Sequence, residues 1–455
     1  AEAARSRERV YLIVSNTGTL LESARHLSLD GIEPHELRNQ LLTALESDEV
    51  TPILNGRLHL LNVGRSDSID TACQVFRRML EAENWGECEA CDLSGRCPIF
   101  RNVLLVQENK DVVLRRTELA YRRLYEYGVR LTMRQMTGHL AYALTAGRDC
   151  ADIRRLSDIA LADCLTGSLF FNRFFGDDGQ QSPPEAAQLL AVKHVRDSEF
   201  GVMLDPDFER SLWARDTGAV PLKGAALVQY KKLKGDSDAP DAAARRQVRR
   251  LVYFMGLMDG EAEKRYLSMF LRSPMLVDYL RVTAGGQGVP SMLETQWRCQ
   301  VMQVLQEHFA GMRLPEGSWN TTSRLYVTLN PRSSGAATQI VLASFATEDC
   351  QLAVEAGHQA VASGRGRLQL RWRNGLAKME LDLPFLDYVA QRYEGEMAAQ
   401  LSAHYADRLE RFKASLLEAS AGSTDQSELQ LLRIGANRQF KPVRVRFCGD
   451  HLEVV

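Results

Sequence analysis

Apolar positions along the chain fall first into short runs, then into helical stripes, then into alternating strands. The opening signal is RVYLIVS (9–15), a continuous β-branched run closed by the turn-prone Asn16-Thr17-Gly18. Such a run predicts a strand buried on both faces, as in a parallel sheet. Residues 32–47 place Leu37, Leu41, Leu42 and Leu45 on one side of a helix. RLHLLNV (57–63) predicts a second strand, and 66–83 a helix opened by Ser/Asp capping chemistry. Strand, helix, strand, helix predicts an α/β layer.

Helices dominate the middle. A Leu/Tyr stripe predicts one over 111–127, ended by Gly128, and Thr132 is the expected N-cap of another over 133–144 that stops near Gly147. Helices continue over 151–175 as far as FFNRFFGDDG. Residues 179–184 and KGDSDAPDAAA (234–244) have loop composition, and 245–273 is helical again. The last third turns to strands. RLYVTLN (324–330) and QIVLASF (339–345) flank the turn PRSSGAA, and 367–383 alternates around Asn374-Gly375, a hairpin signal. A helix stripe runs through Leu401, Tyr405, Leu409, Phe412 and Leu416, and PVRVRFCGDHLEVV closes the chain as a hairpin. There is no internal repeat and no low-complexity tract.

Composition changes this picture little. The 455 residues suffice for about three domains. Apolar (45%) and charged (25%) shares are those of a soluble globular chain, and a net charge of -2 leaves nucleic-acid attraction to local basic patches. No apolar run is long enough for a membrane helix, and no signal-peptide pattern opens the chain. Nine cysteines, an odd number, argue against a disulfide framework and for a reducing cytoplasm. The start AEAARSRERVYLIVSNTG lacks an initiator Met, so a segment upstream of this numbering is expected.

Cysteine spacing carries the clearest chemistry. Cys88, Cys91 and Cys97 in GECEACDLSGRCPIF have the pattern C-x2-C-x5-C, and Gly95 with Pro98 fits a compact loop. Structural zinc takes four ligands, so one is missing locally. Cys73, Cys150, Cys164 or a histidine could supply it. Cys150 is favoured because it follows Gly147 at a helix end, where flanking helices can fold back. An iron–sulfur cluster needs four cysteines too, three unligated thiols are the plainer reading, and a thioredoxin-like pair lacks its βαβ context. A metal here would be structural, since no open position with a base is in view.

CPIFRN (97–102), the helix after it and YGVRLTMRQMTGHLAYALTAGRDC (127–150) resemble the C-terminal portion of a family of large prokaryotic AAA+-type ATPases. These are the ATPase of phosphorothioation-dependent DNA restriction and related ATPases of bacterial defence loci. LFFNRFFG (169–176), MLDPDFERSLW (203–213), RRQVRRLVYF (245–254) and MELDLPFLDYVAQRYEGEM (379–397) resemble it in the same order. The resemblance implies the C-terminal half of an α/β ATPase core over 1–84, a helical lid bearing the zinc knuckle over 85–178, a helical region over 179–320 and an α+β region over 321–455. Asn16 would be the polar residue that orients the attacking water, against the plainer reading of an Asn at a strand exit. Arg134 would contact nucleotide phosphates, against that of a solvated helix arginine. Cys88, Cys91, Cys97 and Cys150 would brace the lid. Arg25 and Arg38 both lie where an arginine finger would be sought.

One departure limits this. No GxxxxGK[ST] occurs in the 455 residues, so ATP and magnesium are expected only if a P-loop half exists upstream. The implied function is an ATP-dependent component of a bacterial antiviral defence or DNA restriction complex. Its implied partners are other defence subunits, DNA and copies of itself. The alternative is a non-catalytic scaffold or nucleic-acid-binding subunit with a degenerate ATPase fold. Arg245, Arg246, Arg249 and Arg250 line one helical face suited to phosphates, or to a solvated or subunit surface. His194, Asp197, Glu199, Asp205 and Asp207 show no nucleophile or metal partner by spacing, and Cys299, Cys350 and Cys448 are read as single buried thiols.

Overall fold

A computed structural model describes residues 10–26, 32–47, 50–65, 67–177, 183–202, 204–213, 220–235, 241–285, 288–311, 324–329, 338–355, 365–395, 401–420, 428–434, 440–448 and 451–454. The first unit is small. Helices α1 (Thr17–Arg25) and α2 (Pro34–Leu45) pack with a hairpin of β1 (Thr51–Ile53) and β2 (Leu58–Leu60). Their shared core is Ala24, Leu37, Leu41, Ala44, Ile53, Leu54 and Leu60. The hairpin turns through Leu54, Asn55 and Gly56, all at positive φ.

The expected strand at the start does not form. Residues 10–15 are irregular, and Leu12 and Val14 are 92% and 90% exposed. A fully apolar strand needs neighbours on both edges and both faces, and no described segment supplies them. The α/β layer is likewise corrected: every strand pairing among the described residues is antiparallel.

A predominantly helical body follows. In order it contains α3 (Ile69–Met79), α4 (Gly86–Glu89), α5 (Pro98–Glu108), α6 (Lys110–Glu126), α7 (Met133–Thr145), α8 (Cys150–Arg154), α9 (Asp158–Gly167) and α10 (Phe170–Arg173). Then come α11 (Pro184–Ala187), α12 (Leu190–Asp197), α13 (Pro206–Trp213), α14 (Gly224–Lys234), α15 (Ala242–Met255), α16 (Gly260–Phe270), α17 (Leu276–Gly285) and α18 (Ser291–Ala310). The capping chemistry read in the sequence sets several boundaries. Asp67 Oδ1 accepts the Ile69 N–H at 2.9 Å at the start of α3, and Thr132 with Gln135 makes a full capping box on α7. Gly128, at φ +84, follows α6.

LFFNRFFG is core. Phe170, Phe174 and Phe175 meet Tyr253, Phe254 and Phe270 mostly edge to face; the Phe174–Phe254 centroids are 4.9 Å apart, and Tyr253 stacks on Phe270 at 4.2 Å. Gly176 ends the motif at φ +75, where a Cβ would stand 2.1 Å from Val192 Cγ1. No side chain fits there.

The C-terminal part is α+β. Strands β3 (Arg324–Thr328), β4 (Thr338–Ala346), β8 (Glu428–Ile434), β9 (Phe440–Cys448) and β10 (His451–Val454) form one sheet in the order β10-β9-β8-β4-β3. Strands β5 (Cys350–Glu355), β6 (Arg367–Trp372) and β7 (Ala377–Glu380) form a second. The β6–β7 turn holds Asn374 and Gly375 at φ 59 and 94, the left-handed pair that Asn-Gly favours. The edge of β3 meets α18, where the Gln306 side chain both donates to the Tyr326 carbonyl (3.1 Å) and accepts its N–H (2.8 Å). That side chain satisfies the strand edge as a further strand would. Helices α19 (Leu383–Tyr393) and α20 (Ala403–Ser420) pack alongside. One hydrophobic core cluster runs from Ile69 to Leu416.

Candidate functional site

Asn16 is a helix cap here. Its Oδ1 accepts the Thr19 N–H at 2.7 Å, and its carbonyl receives Leu20 N–H at 2.9 Å, closing the first turn of α1. Arg134 stands exposed in the first turn of α7, with no ion pair among the described residues. Arg25 pairs with Glu22 of its own helix at 3.2 Å, while Arg38 is half-buried with Nε enclosed and unpartnered.

The four arginines of α15 do not share an open face. Arg250 is buried and donates to both oxygens of Asp177 at 2.7 Å, with its guanidinium 4.6 Å from the centre of the Phe175 ring. Burial pulls its pKa down and Asp177 pushes it back up. Arg249 bonds Glu209 Oε2 at 2.8 Å and the carbonyls of Gly201 and Val202. Arg246 lies 3.9 Å from Asp177, and Arg245 is exposed. What these arginines meet could not be read from their spacing, because Asp177 and Glu209 are remote in sequence. Arg250→Ala therefore acts on stability, by about 3 kcal/mol, since it leaves the Asp177 carboxylate enclosed without its cation. Urea denaturation checks this, and an unchanged midpoint would contradict it.

The four cysteines lie in two neighbouring segments. Cys88 lies in α4, Cys91 in the turn after it, Cys97 is the N-cap of α5, and Cys150 opens α8. Both segments rest on a satellite core of Ile99, Ile153 and Leu161, joined by Trp85, Leu93, Cys97 and Leu156. The Leu93 N–H points to Cys91 Sγ at 3.5 Å, and Arg154 donates to the same sulfur at 3.3 Å while pairing with Asp92 at 3.0 Å. Burial pushes the Cys88 thiol up from 9.0, followed by the nearby thiols of Cys150, Cys97 and Cys91. Of the other candidate ligands, Cys73 is pushed up to about 12 by burial beside Glu118 and Asp70, and Cys164 contacts Arg148. All nine cysteines are free thiols. Among the described residues no three metal-ligating side chains already stand as a ligand set.

The remaining acidic candidates are structural. Asp205 Oδ1 accepts the N–H groups of Asp207 and Phe208 at the start of α13, and Glu199 pairs with Arg272. Two buried polar residues escaped the sequence reading. Asn102, within CPIFRN, bonds Leu144 O, Ser168 O and Phe170 N. Asp387, within LPFLD, receives Tyr127 Oη, Ser273 Oγ and Met275 N. The signal for Asp387 was present: a charge embedded in an otherwise apolar helix face.

No family model, no curated protein and no solved structure matches the chain. Among the described residues no helix is long and apolar enough to cross a membrane.

Proposed function

We propose that the chain is the ATP-dependent component of a bacterial antiviral defence or DNA restriction assembly, acting as a homo-oligomer that couples nucleotide state to foreign-DNA recognition or effector control. The observation that carries this reading is the exposed apolar run at 10–14, immediately before the capped Asn16. Such a β-branched run is suited to adding to a sheet, and the sheet this reading calls for is one that bears a phosphate-cradling loop. Arg134, exposed in a helix first turn, is free to reach nucleotide phosphates. ATP and magnesium would be held by that loop, which the 455 residues do not contain. Asn16 would have to leave its cap to act on a water. That observation favours a second reading, a scaffold subunit in which the nucleotide chemistry has been lost.

The test is ATP hydrolysis by the assembly purified from its native host, with and without Arg134→Ala. Loss of one transition-state donor lowers turnover by about 100-fold. Unchanged turnover would remove Arg134 from the mechanism, and no hydrolysis by the intact assembly would establish the scaffold reading.

A further inference from the structure

We infer that Cys88, Cys91, Cys97 and Cys150 together take one zinc ion as four thiolates, fastening residues 86–97 to the turn at Cys150–Arg154. The inference stands on these side chains alone and does not depend on the nucleotide reading.

The local fold needs such a fastener. α4 and α8 are helices of four and five residues, well below the length at which a helix holds itself together. Beneath them, among the described residues, lies a small satellite core of Ile99, Ile153 and Leu161, little burial to set against the ordering of both segments. Small scaffolds of this kind are completed by disulfides or by a metal. The thiols here are free, so no disulfide does this work.

The surroundings offer donors to the sulfurs. The Leu93 N–H and the Arg154 guanidinium both point at Cys91 Sγ, as outer donors to a ligating sulfur do. Cys97 stands at the N-cap position of an eleven-residue helix. Zinc suits the setting better than an iron–sulfur cluster. Cys150 is exposed and the other three thiols are half-buried, so water would reach a redox-active cluster, whereas Zn²⁺ has no redox chemistry to protect. Among the described residues no three ligating groups are already gathered, so binding has to draw the four sulfurs together, and the titration below tests whether it does. The step balances as Zn²⁺ plus four thiols giving a zinc tetrathiolate of charge -2 and four protons released. Arg154 stands beside that charge.

The test uses the full chain, reduced and stripped of metal, then titrated with zinc and with cobalt. Calorimetry in two buffers of different ionisation enthalpy is expected to report one zinc per chain and about four protons released. Cobalt is expected to give the spectrum of a tetrahedral tetrathiolate, bleached by zinc. Cys150→Ser, at an exposed position that tolerates the change, lowers zinc affinity by about 100-fold or more, whereas Cys164→Ser leaves it unchanged. Cys97→Ser tests the second segment. Absence of binding in the parent chain, stoichiometric binding that survives Cys150→Ser, or iron and sulfide in the protein as isolated would each overturn the assignment.

Discussion

Asp387→Ala is expected to destabilise the protein by about 4 kcal/mol, whereas Asp387→Asn stays within about 1 kcal/mol of the parent at pH 7. The carboxylate is 1% exposed in α19, where Oδ2 receives Tyr127 Oη at 2.8 Å and Ser273 Oγ, and Oδ1 receives Met275 N at 2.9 Å. Tyr127 ends α6, and Ser273 and Met275 belong to the link between α16 and α17, so one side chain ties the C-terminal region to the helical body. Alanine leaves three donors without an acceptor. Asparagine keeps its Oδ1 on the Met275 N–H, and its amide can donate to both hydroxyls, which need only rotate. Equilibrium urea unfolding of the two variants measures the contrast, and equal losses would show that the hydrogen bonds do not matter.

The same residue shapes the pH response. Burial raises Asp387 from 3.8 to about 6, against the opposing pull of its three donors and Arg123. Between those values the folded state keeps a proton that the unfolded chain has released, so this group's stabilisation is present at low pH and lost as pH rises through about 6. His139 works in the opposite sense. It is fully buried, and burial lowers it from 6.5 to about 4. Its Nε2 sits 2.7 Å from the Phe174 carbonyl and so carries the proton, leaving Nδ1 to accept from Tyr121 Oη at 2.9 Å. The folded state refuses a proton that the unfolded chain takes, so its contribution is lost as pH falls from 6.5 towards 4. Each effect is on the order of 3 kcal/mol, and they oppose each other over the same window. Asp387→Asn is expected to expose the His139 limb, giving a steeper loss of stability below pH 6 than in the parent chain. Parallel pH profiles for the two proteins would contradict this.

These two residues also mark where sequence reasoning stopped. Local chemistry was legible: the Thr132 capping box, the Asn374-Gly375 turn and the stripe that buries Leu409, Phe412 and Leu416 all follow from spacings of a few residues. Long-range pairing was not. RVYLIVS states that a strand wants partners without saying whether they exist, and Asn16 after it, read as a water-orienting residue or a strand exit, proves to cap a helix. The α15 arginines showed a face but not Asp177 and Glu209 opposite it. The cysteine spacing offered Cys88, Cys91, Cys97 and Cys150 as one set; they lie in neighbouring segments, but among the described residues no three of them stand as a ligand group. The motifs behind the family resemblance turn out to occupy the framework. LFFNRFFG is aromatic core, and Asp382 of MELDLPFLD caps α19 through the Phe385 N–H at 3.0 Å. Framework residues are set by packing, so they speak to the fold and leave the chemistry open.

Asn102→Ala is expected to cost about 4 kcal/mol, and Asn102→Asp at least as much. Pro98 starts α5 and Ile99 and Phe100 are buried, which carries the Asn102 side chain into the interior at 1% exposure. There Nδ2 donates to Leu144 O at 3.0 Å and Ser168 O at 2.6 Å, and Oδ1 accepts Phe170 N–H at 2.9 Å. The two carbonyls lie at the end of α7 and the exit of α9, and the N–H opens α10. One amide therefore completes three helix ends that have no other partner within their own helices. Alanine removes both donors and the acceptor at once. Aspartate keeps the acceptor but faces two carbonyl oxygens with a carboxylate, which repels them unless it is protonated. Arg134→Ala, exposed on the neighbouring α7, is the matched control and shifts stability by no more than about 0.5 kcal/mol. The clamp also joins the two segments that carry the cysteines, since α7 leads into Cys150 and α5 begins at Cys97. Where the proposed zinc site forms, loss of Asn102 is expected to lower zinc affinity while every sulfur remains in the chain. If Asn102→Ala loses stability yet binds zinc as tightly as the parent, the metal alone sets the geometry of its loop.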